Sequence, residues 1–297
     1  MARIRIGISG WRYQPWRGVF YPDDLPQRRE LAYASRQFAC IELNGSFYSL
    51  QTPDRYRDWY RSTPSGFVFA VKGPRYITHI RRLREVRTAL ANFFASGVLA
   101  LEEKLGPMLW QLPPSLRYDE DLLEAFLKLL PKDTDAAGAL AAGHDDHLKT
   151  RGLLHSRQRH RLRHALEVRH DSFCDARLIR QLRRHGVALV VADSDGRWPV
   201  MHDVTAGFMY LRLHGQGELY AGGYDDQALD AWAKRLRAWH RAGQPQDAQL
   251  ISDAAPPARQ ARDIYLFFDN DQKVRAPHDA RALMQRLHLA WGEARET

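Results

Sequence analysis

The stretch DARLIRQLRRHGVALVVADSD (175–195) decides the reading of the fold. Asp175 to His185 carries apolar residues at helical spacing, and Val187 to Asp193 is almost wholly apolar, as a strand. The same pairing recurs outward in both directions. Strand-like segments are predicted at Ile4 to Ser9, Cys40 to Asn44, Phe67 to Lys72, Pro107 to Leu112, Ala165 to Arg169, Val187 to Asp193, Phe208 to His214 and Ile264 to Asp269. Helix patterns lie between them at Leu25 to Phe38, Pro53 to Thr63, Arg82 to Leu105, Asp119 to Leu130, Asp175 to His185, Gln227 to Ala242 and His278 to Trp291. Strands alternating with helices call for a parallel sheet. Eight units call for closure, so the expected fold class is α/β, a single TIM-like (β/α)8 barrel over residues 1–297.

The longest connection, about 133–163, is read as an insertion with an extra helix, Thr134 to Lys149, and a basic loop. The gap between strands six and seven holds at most a short helix. Strand one runs into Gly10, but no GxGxxG opens a helix there, which argues against a dinucleotide fold.

Composition narrows the class. The 297 residues suit a barrel that commonly takes about 250. Hydrophobic residues make up 44% and charged residues 27%, with no apolar run near the roughly 20 residues a membrane span needs. The N-terminal MARIRIGISGW reads as a first strand, not a targeting segment. Cys40 and Cys174 are too few for a disulfide framework and read as small core residues. A cytoplasmic protein without membrane contact is expected. The net charge of +9 and the pI near 9.7 favour anionic partners, nucleic acid included. Two arginine runs, Arg81 to Arg87 and Arg151 to Arg163, read first as solvated faces.

The chemistry is expected where the strands end, because the active sites of such barrels are built at that face. Side chains two apart on a strand share a face, which pairs Glu42 with Asn44, Glu167 with Arg169 and Arg212 with His214. Lys72, Gln111, Asp193, Asp269 and Asn270 end their strands. Burying such groups is costly unless they are paired or hold a ligand. Catalytic candidates are Glu42, Glu167, Lys72, Asp193 and His214. Binding candidates are Trp11, Asn44, Tyr48, Arg75, His79, Gln111, Arg169, Arg212 and Asn270. Arg212 is expected to clamp an anion. Glu42, expected furthest from the arginines, is the acid/base candidate and Glu167 the runner-up.

Several stretches resemble the YecE-like family, also called domain of unknown function 72: GISGWRYQPWRGVFYP (7–22), IELNGSFY (41–48), FAVKGPRYITH (69–79), LGPMLWQLPP (105–114), ALEVRHDSF (165–173), YLRLHG (210–215) and YLFFDND (265–271). The resemblance covers essentially the whole chain. It implies the barrel already read from the pattern, in a bacterial cytoplasm, and no particular reaction. Gly45-Ser46 stands where a threonine often precedes Phe-Tyr, and Phe173 where a tryptophan is common.

The leading reading is an enzyme that uses acid/base chemistry on a small anionic or sugar-like substrate. A divalent metal enzyme is the second reading, with Glu42, Glu167, Asp193 and His214 as conceivable ligands. Against it stand Lys72, Arg169 and Arg212 in the same ring and the lack of HxH or HExxH spacing. A module that binds nucleic acid or protein is the third.

Overall fold

A computed structural model describes residues 2–217, 220–258 and 260–291. Its strands are β1 (Ile4–Ser9), β2 (Cys40–Leu43), β3 (Val68–Lys72), β4 (Leu105–Gln111), β5 (His164–Glu167), β6 (Ala188–Asp193), β7 (Phe208–Leu213) and β8 (Asp263–Phe268). They close into a parallel barrel in chain order. The α-helices are α1 (Glu30–Gln37), α2 (Gly45–Tyr48), α3 (Pro53–Ser62), α4 (Arg87–Ala95), α5 (Glu120–Leu129), α6 (Thr134–Ala141), α7 (Ala176–His185), α8 (Asp226–His240) and α9 (Arg275–Arg286). The expected fold class is the observed one. The internal contacts group the chain into two compact units, one running to Glu42 and resuming at Cys174, the other Leu43–Phe173.

In the first unit, strand registers fix which side chains face the barrel interior. Ser9 pairs with Glu42, Ala192 with Arg212, and Arg212 with Phe267. Register partners in a parallel pair point the same way, so these residues share the inner face. One step out of phase, Ile8, Ile41, Leu211, Leu213, Leu266 and Phe268 are fully buried toward the helix layer. Helix α7 shows how the outer layer is specified. Asp175 caps its start by accepting from the Arg177 amide, and Leu178, Ile179 and Leu182 are buried while Arg177 and Arg180 stay exposed.

In the second unit, Thr52, Asp119 and Asp133 cap α3, α5 and α6 in the same manner. Buried Lys104 donates to the carbonyls of Tyr60 and Thr63, both at 2.7 Å, and so neutralises the C-terminal end of α3. Trp110 packs edge-on against Phe93 and Phe126, and its Nε1 donates to His164 Nδ1 at 3.1 Å.

Several expectations need correction. The helix read through 82–105 is two pieces, α4 and a 3-10 segment Val98–Lys104. Gly97 separates them at φ 111°, where an added Cβ would sit 2.4 Å from Pro53 Cα. The helix read as Thr134 to Lys149 stops at Ala141. Beyond it, Asp145 bonds Asn92 through its amide and its side chain, which holds the chain in a turn. The gap between Asp193 and Phe208, read as holding at most a short helix, contains none. Cys40 is buried as expected, whereas Cys174 is exposed.

Gly7 brings β1 against β2, and a Cβ there would meet the Cys40 carbonyl oxygen at 1.9 Å. That neighbour is backbone and cannot rotate away. Gly7→Ala should therefore cost about 3 kcal/mol or more. The melting temperature should fall by at least several degrees; an unchanged value would contradict the close strand approach.

Candidate functional site

Around Arg212 the first unit holds a closely knit set of charges at the C-terminal ends of β1, β2, β7 and β8. Arg212 Nε donates to Glu42 Oε2 at 3.0 Å, and Nη2 donates to Glu42 Oε1 at 2.9 Å and to Asp269 Oδ2 at 2.8 Å. Glu42 also accepts from the Ser9 hydroxyl at 2.7 Å and the Tyr210 hydroxyl at 2.6 Å. Glu42, Ser9 and Tyr210 have no exposed surface. Burial and the facing Glu42 carboxylate push the Tyr210 hydroxyl well above its ordinary pKa, so it stays a proton donor.

Glu42 was expected furthest from the arginines, and the structure corrects that. It is the direct partner of Arg212, and both of its oxygens are taken by donors. His214 shares the inner face with Arg212, as the spacing predicted. Its Nδ1 lies 3.0 Å from Asp269 Oδ2 but misses hydrogen-bond alignment, and its Nε2 has no partner among the described residues. The Trp198 and Tyr220 rings close over it edge-on.

Two strand-end candidates point elsewhere. Asp193 pairs in register with Leu213, which puts it on the outer face. There it accepts from Tyr224 Oη at 3.0 Å and Trp232 Nε1 at 3.3 Å. Asn270, one step from Asp269, donates to the Gly222 carbonyl and to Asp279 of α9. Trp11 is buried, and its carbonyl accepts from Tyr21.

Asp271 was missed. It follows Asp269 by two residues, in the turn past the end of β8. Its carboxyl is pushed up to about 6, first by burial and then by the neighbouring Asp269 charge. The Tyr13 hydroxyl donates to the Ser9 carbonyl at 2.5 Å, and burial with Asp271, Asp269 and Glu42 raises that phenol too. The Trp16 indole donates to the Asp271 carbonyl at 2.9 Å and fixes the backbone. Extending the period-two count by one more step would have found this residue.

The second unit carries its own set at the ends of β3, β4 and β5. Gln111 and Glu167 are register partners, and Gln111 Nε2 donates to both Glu167 oxygens at 3.1 Å. Arg169 Nε donates to Glu167 Oε1 at 2.7 Å, so the predicted Glu167–Arg169 face is real. Lys72 Nζ lies 4.2 Å from the Phe47 ring centroid, and its carbonyl accepts from Ser46. His79 is pushed down to about 4 by burial and by the charges of Lys72, Arg169 and Arg75, against the opposing pull of Glu167. It is therefore neutral at pH 7. Asn44 precedes α2 without a side-chain capping bond, while Tyr48 is exposed and lines a groove with Arg75. Chemically, this set can hold an anion.

The arginine run 151–163 is largely exposed and partly paired. Arg159 reaches Asp133 at 2.6 Å and Asp135 at 3.6 Å, and Arg157 reaches Glu102 at 3.8 Å. Among the described residues, no three His, Cys, Asp or Glu side chains are grouped to hold a metal ion. No helix there is long and apolar enough to cross a membrane.

The family model described as protein of unknown function DUF72 matches residues 5–297. The chain belongs to the DUF72 family. Similar to it is the UPF0759 protein YecE of Escherichia coli K12, 24% identical over 99% of this chain and 93% of that one. UPF0759 protein YunF of Bacillus subtilis is 29% identical over 37% of this chain and 40% of its own. A DUF72 family protein of Thermotoga maritima superposes with a TM-score of 0.73 at 22% identity, covering 96% of this chain and 99% of that chain. One from Enterococcus faecalis gives 0.68 at 14% identity, covering 97% of each. These likenesses show the barrel fold.

The Asp271 shift has a stability consequence. Folding lifts its pKa from 3.8 to about 6, so between those values the folded chain keeps a proton that the unfolded chain has released. Its contribution is full below about pH 4 and is lost as pH rises through 6. Asp271→Asn should match the wild type in urea denaturation near pH 4 and exceed it above pH 7. Equal stability at both ends would contradict the raised pKa.

Proposed function

We propose that this protein is an enzyme that moves a proton on a small polyhydroxylated substrate, with Asp271 as the acid/base group. What supports the reading is the half-buried Asp271 carboxyl beside Asp269 and Tyr13, pushed up to about 6 by burial and by the Asp269 charge. A group poised there is usable in both protonation states near neutral pH. Glu42 serves as positioning residue, because four donors already occupy its oxygens. Arg212 is held by Glu42 and Asp269, which disfavours it as a free anion clamp. Three carboxylates against one guanidinium would repel an anionic ligand here. Hydroxyl groups, by contrast, can donate to these carboxylates.

The second unit favours a further reading, the binding of an anionic group by Lys72, Arg75 and Arg169. What supports it is that all three charges act on one histidine, His79. Inorganic phosphate bound there should raise the His79 NMR titration midpoint from about 4. A midpoint unmoved by phosphate would contradict it.

The acid/base reading is tested by incubating the protein in D2O with a panel of aldoses, ketoses and polyols. Wild type should wash deuterium into, or rearrange or cleave, at least one compound. Its rate should depend on a group with a pKa near 6. Asp271→Asn should lower that rate by about a hundred-fold. Reaction at the wild-type rate in the variant, or no reaction across the panel, would contradict the proposal.

A further inference from the structure

In the loops after β2 and β3, the Leu43–Phe173 unit holds a groove of about 740 Å³ whose walls include Phe47, Tyr48, Arg75, Tyr76, Ile80 and Arg81. That volume suits a single small-molecule ligand. Three of the six large apolar residues exposed among the described ones line it: Tyr48 at 71%, Tyr76 at 50% and Ile80 at 57%. Scattered exposed apolar residues need no explanation, but clustering in one groove marks a binding surface.

The backbone is unusual on the same wall. Tyr76–Ile80 forms a π-helical turn, a form found mostly at functional sites. Just after it, Arg82, Leu83 and Glu85 adopt φ of 50°, 67° and 50°, left-handed values costly for residues other than glycine. Strain concentrated at one edge is typical of ligand clamps.

Charge selects the ligand. Arg81 Nη2 is paired with Glu85 at 2.6 Å, and Asp145 is held by Asn92 and His147. Arg75 is exposed and makes no hydrogen bond or ion pair among the described residues. The groove thus offers one available guanidinium beside two exposed phenol rings, while the Arg81–Glu85 pair is neutral and the Asp145 carboxylate disfavours further anionic charge. A polymer bearing a phosphate per residue fits this poorly, and a single planar base carrying one phosphate fits it well.

We propose that the groove binds a mononucleotide, its base against Tyr48 and Tyr76 and its phosphate on Arg75. The proposal rests on the anion reading of this unit and names its ligand class. It is tested by calorimetric and NMR titration of the full chain with AMP, ribose 5-phosphate and a six-residue oligodeoxyadenylate. AMP should bind roughly ten-fold tighter than ribose 5-phosphate, because a stacked base adds about that much. Tyr48→Ala, Tyr76→Ala and Arg75→Gln should each weaken AMP by roughly five- to ten-fold. These side chains are exposed, so folding should be spared. Ribose 5-phosphate binding as tightly as AMP and still needing Arg75 would overturn the nucleotide proposal and leave the anion reading standing. No saturable binding of either compound would overturn both. An oligonucleotide more than ten-fold tighter than AMP, with steep salt dependence, would make the ligand a nucleic acid and overturn the mononucleotide.

Discussion

A guanidinium buried without water must find carboxylates, and carboxylates buried without water must find donors. Arg212 meets that constraint by bonding Glu42 and Asp269 together, with Ser9 and Tyr210 completing the shell of Glu42. Four strands of one unit are thereby tied at their C-terminal ends. The phase of each strand follows, since a one-residue slip would send these groups into the apolar layer under the helices. Asp271 depends on the same arrangement, because Asp269, fixed by Arg212, supplies part of the charge that lifts its pKa.

Much of this was legible in the sequence, for reasons that particular residues make clear. Period two pairs Glu167 with Arg169 and Arg212 with His214 without any knowledge of the fold, and the inner face carries both pairs. The barrel was legible because eight strand-helix alternations leave few other architectures. Partner choice was not legible: Glu42 and Arg212 are 170 residues apart, and nothing local in either strand announces the other. The phase of β6 was hidden by its own apolarity. With Val187 to Asp193 buried on both faces, no alternation marks Asp193 as outward. Asp271 lay beyond the last residue that strand propensity would count. The extra helix overran because its apolar spacing continues past Ala141, while the Asn92–Asp145 bonds that bend the chain come from a distant segment.

The two units differ in electrostatic character. Around Arg212, the carboxylates of Glu42, Asp269 and Asp271 outnumber the guanidinium. Around His79, cations prevail, and the histidine is kept neutral first by burial and then by the charges of Lys72, Arg169 and Arg75. The excess positive charge of the chain resides only in part at such sites. In the 151–163 run, arginines meet Glu102, Asp133 and Asp135, so net charge overstates the free cationic surface there.

The dependence of the structure on the Arg212 cluster is tested most directly by a double-mutant cycle. Wild type, Glu42→Gln, Arg212→Met and the double variant would be compared by urea denaturation at pH 7.5. Each single change leaves a buried polar or charged group without its partner and should cost about 3 kcal/mol or more. The double variant should cost much less than the sum, giving a coupling energy of about 2 kcal/mol or more. A coupling below about 0.5 kcal/mol would mean that the two residues stabilise the barrel independently, and would contradict the account.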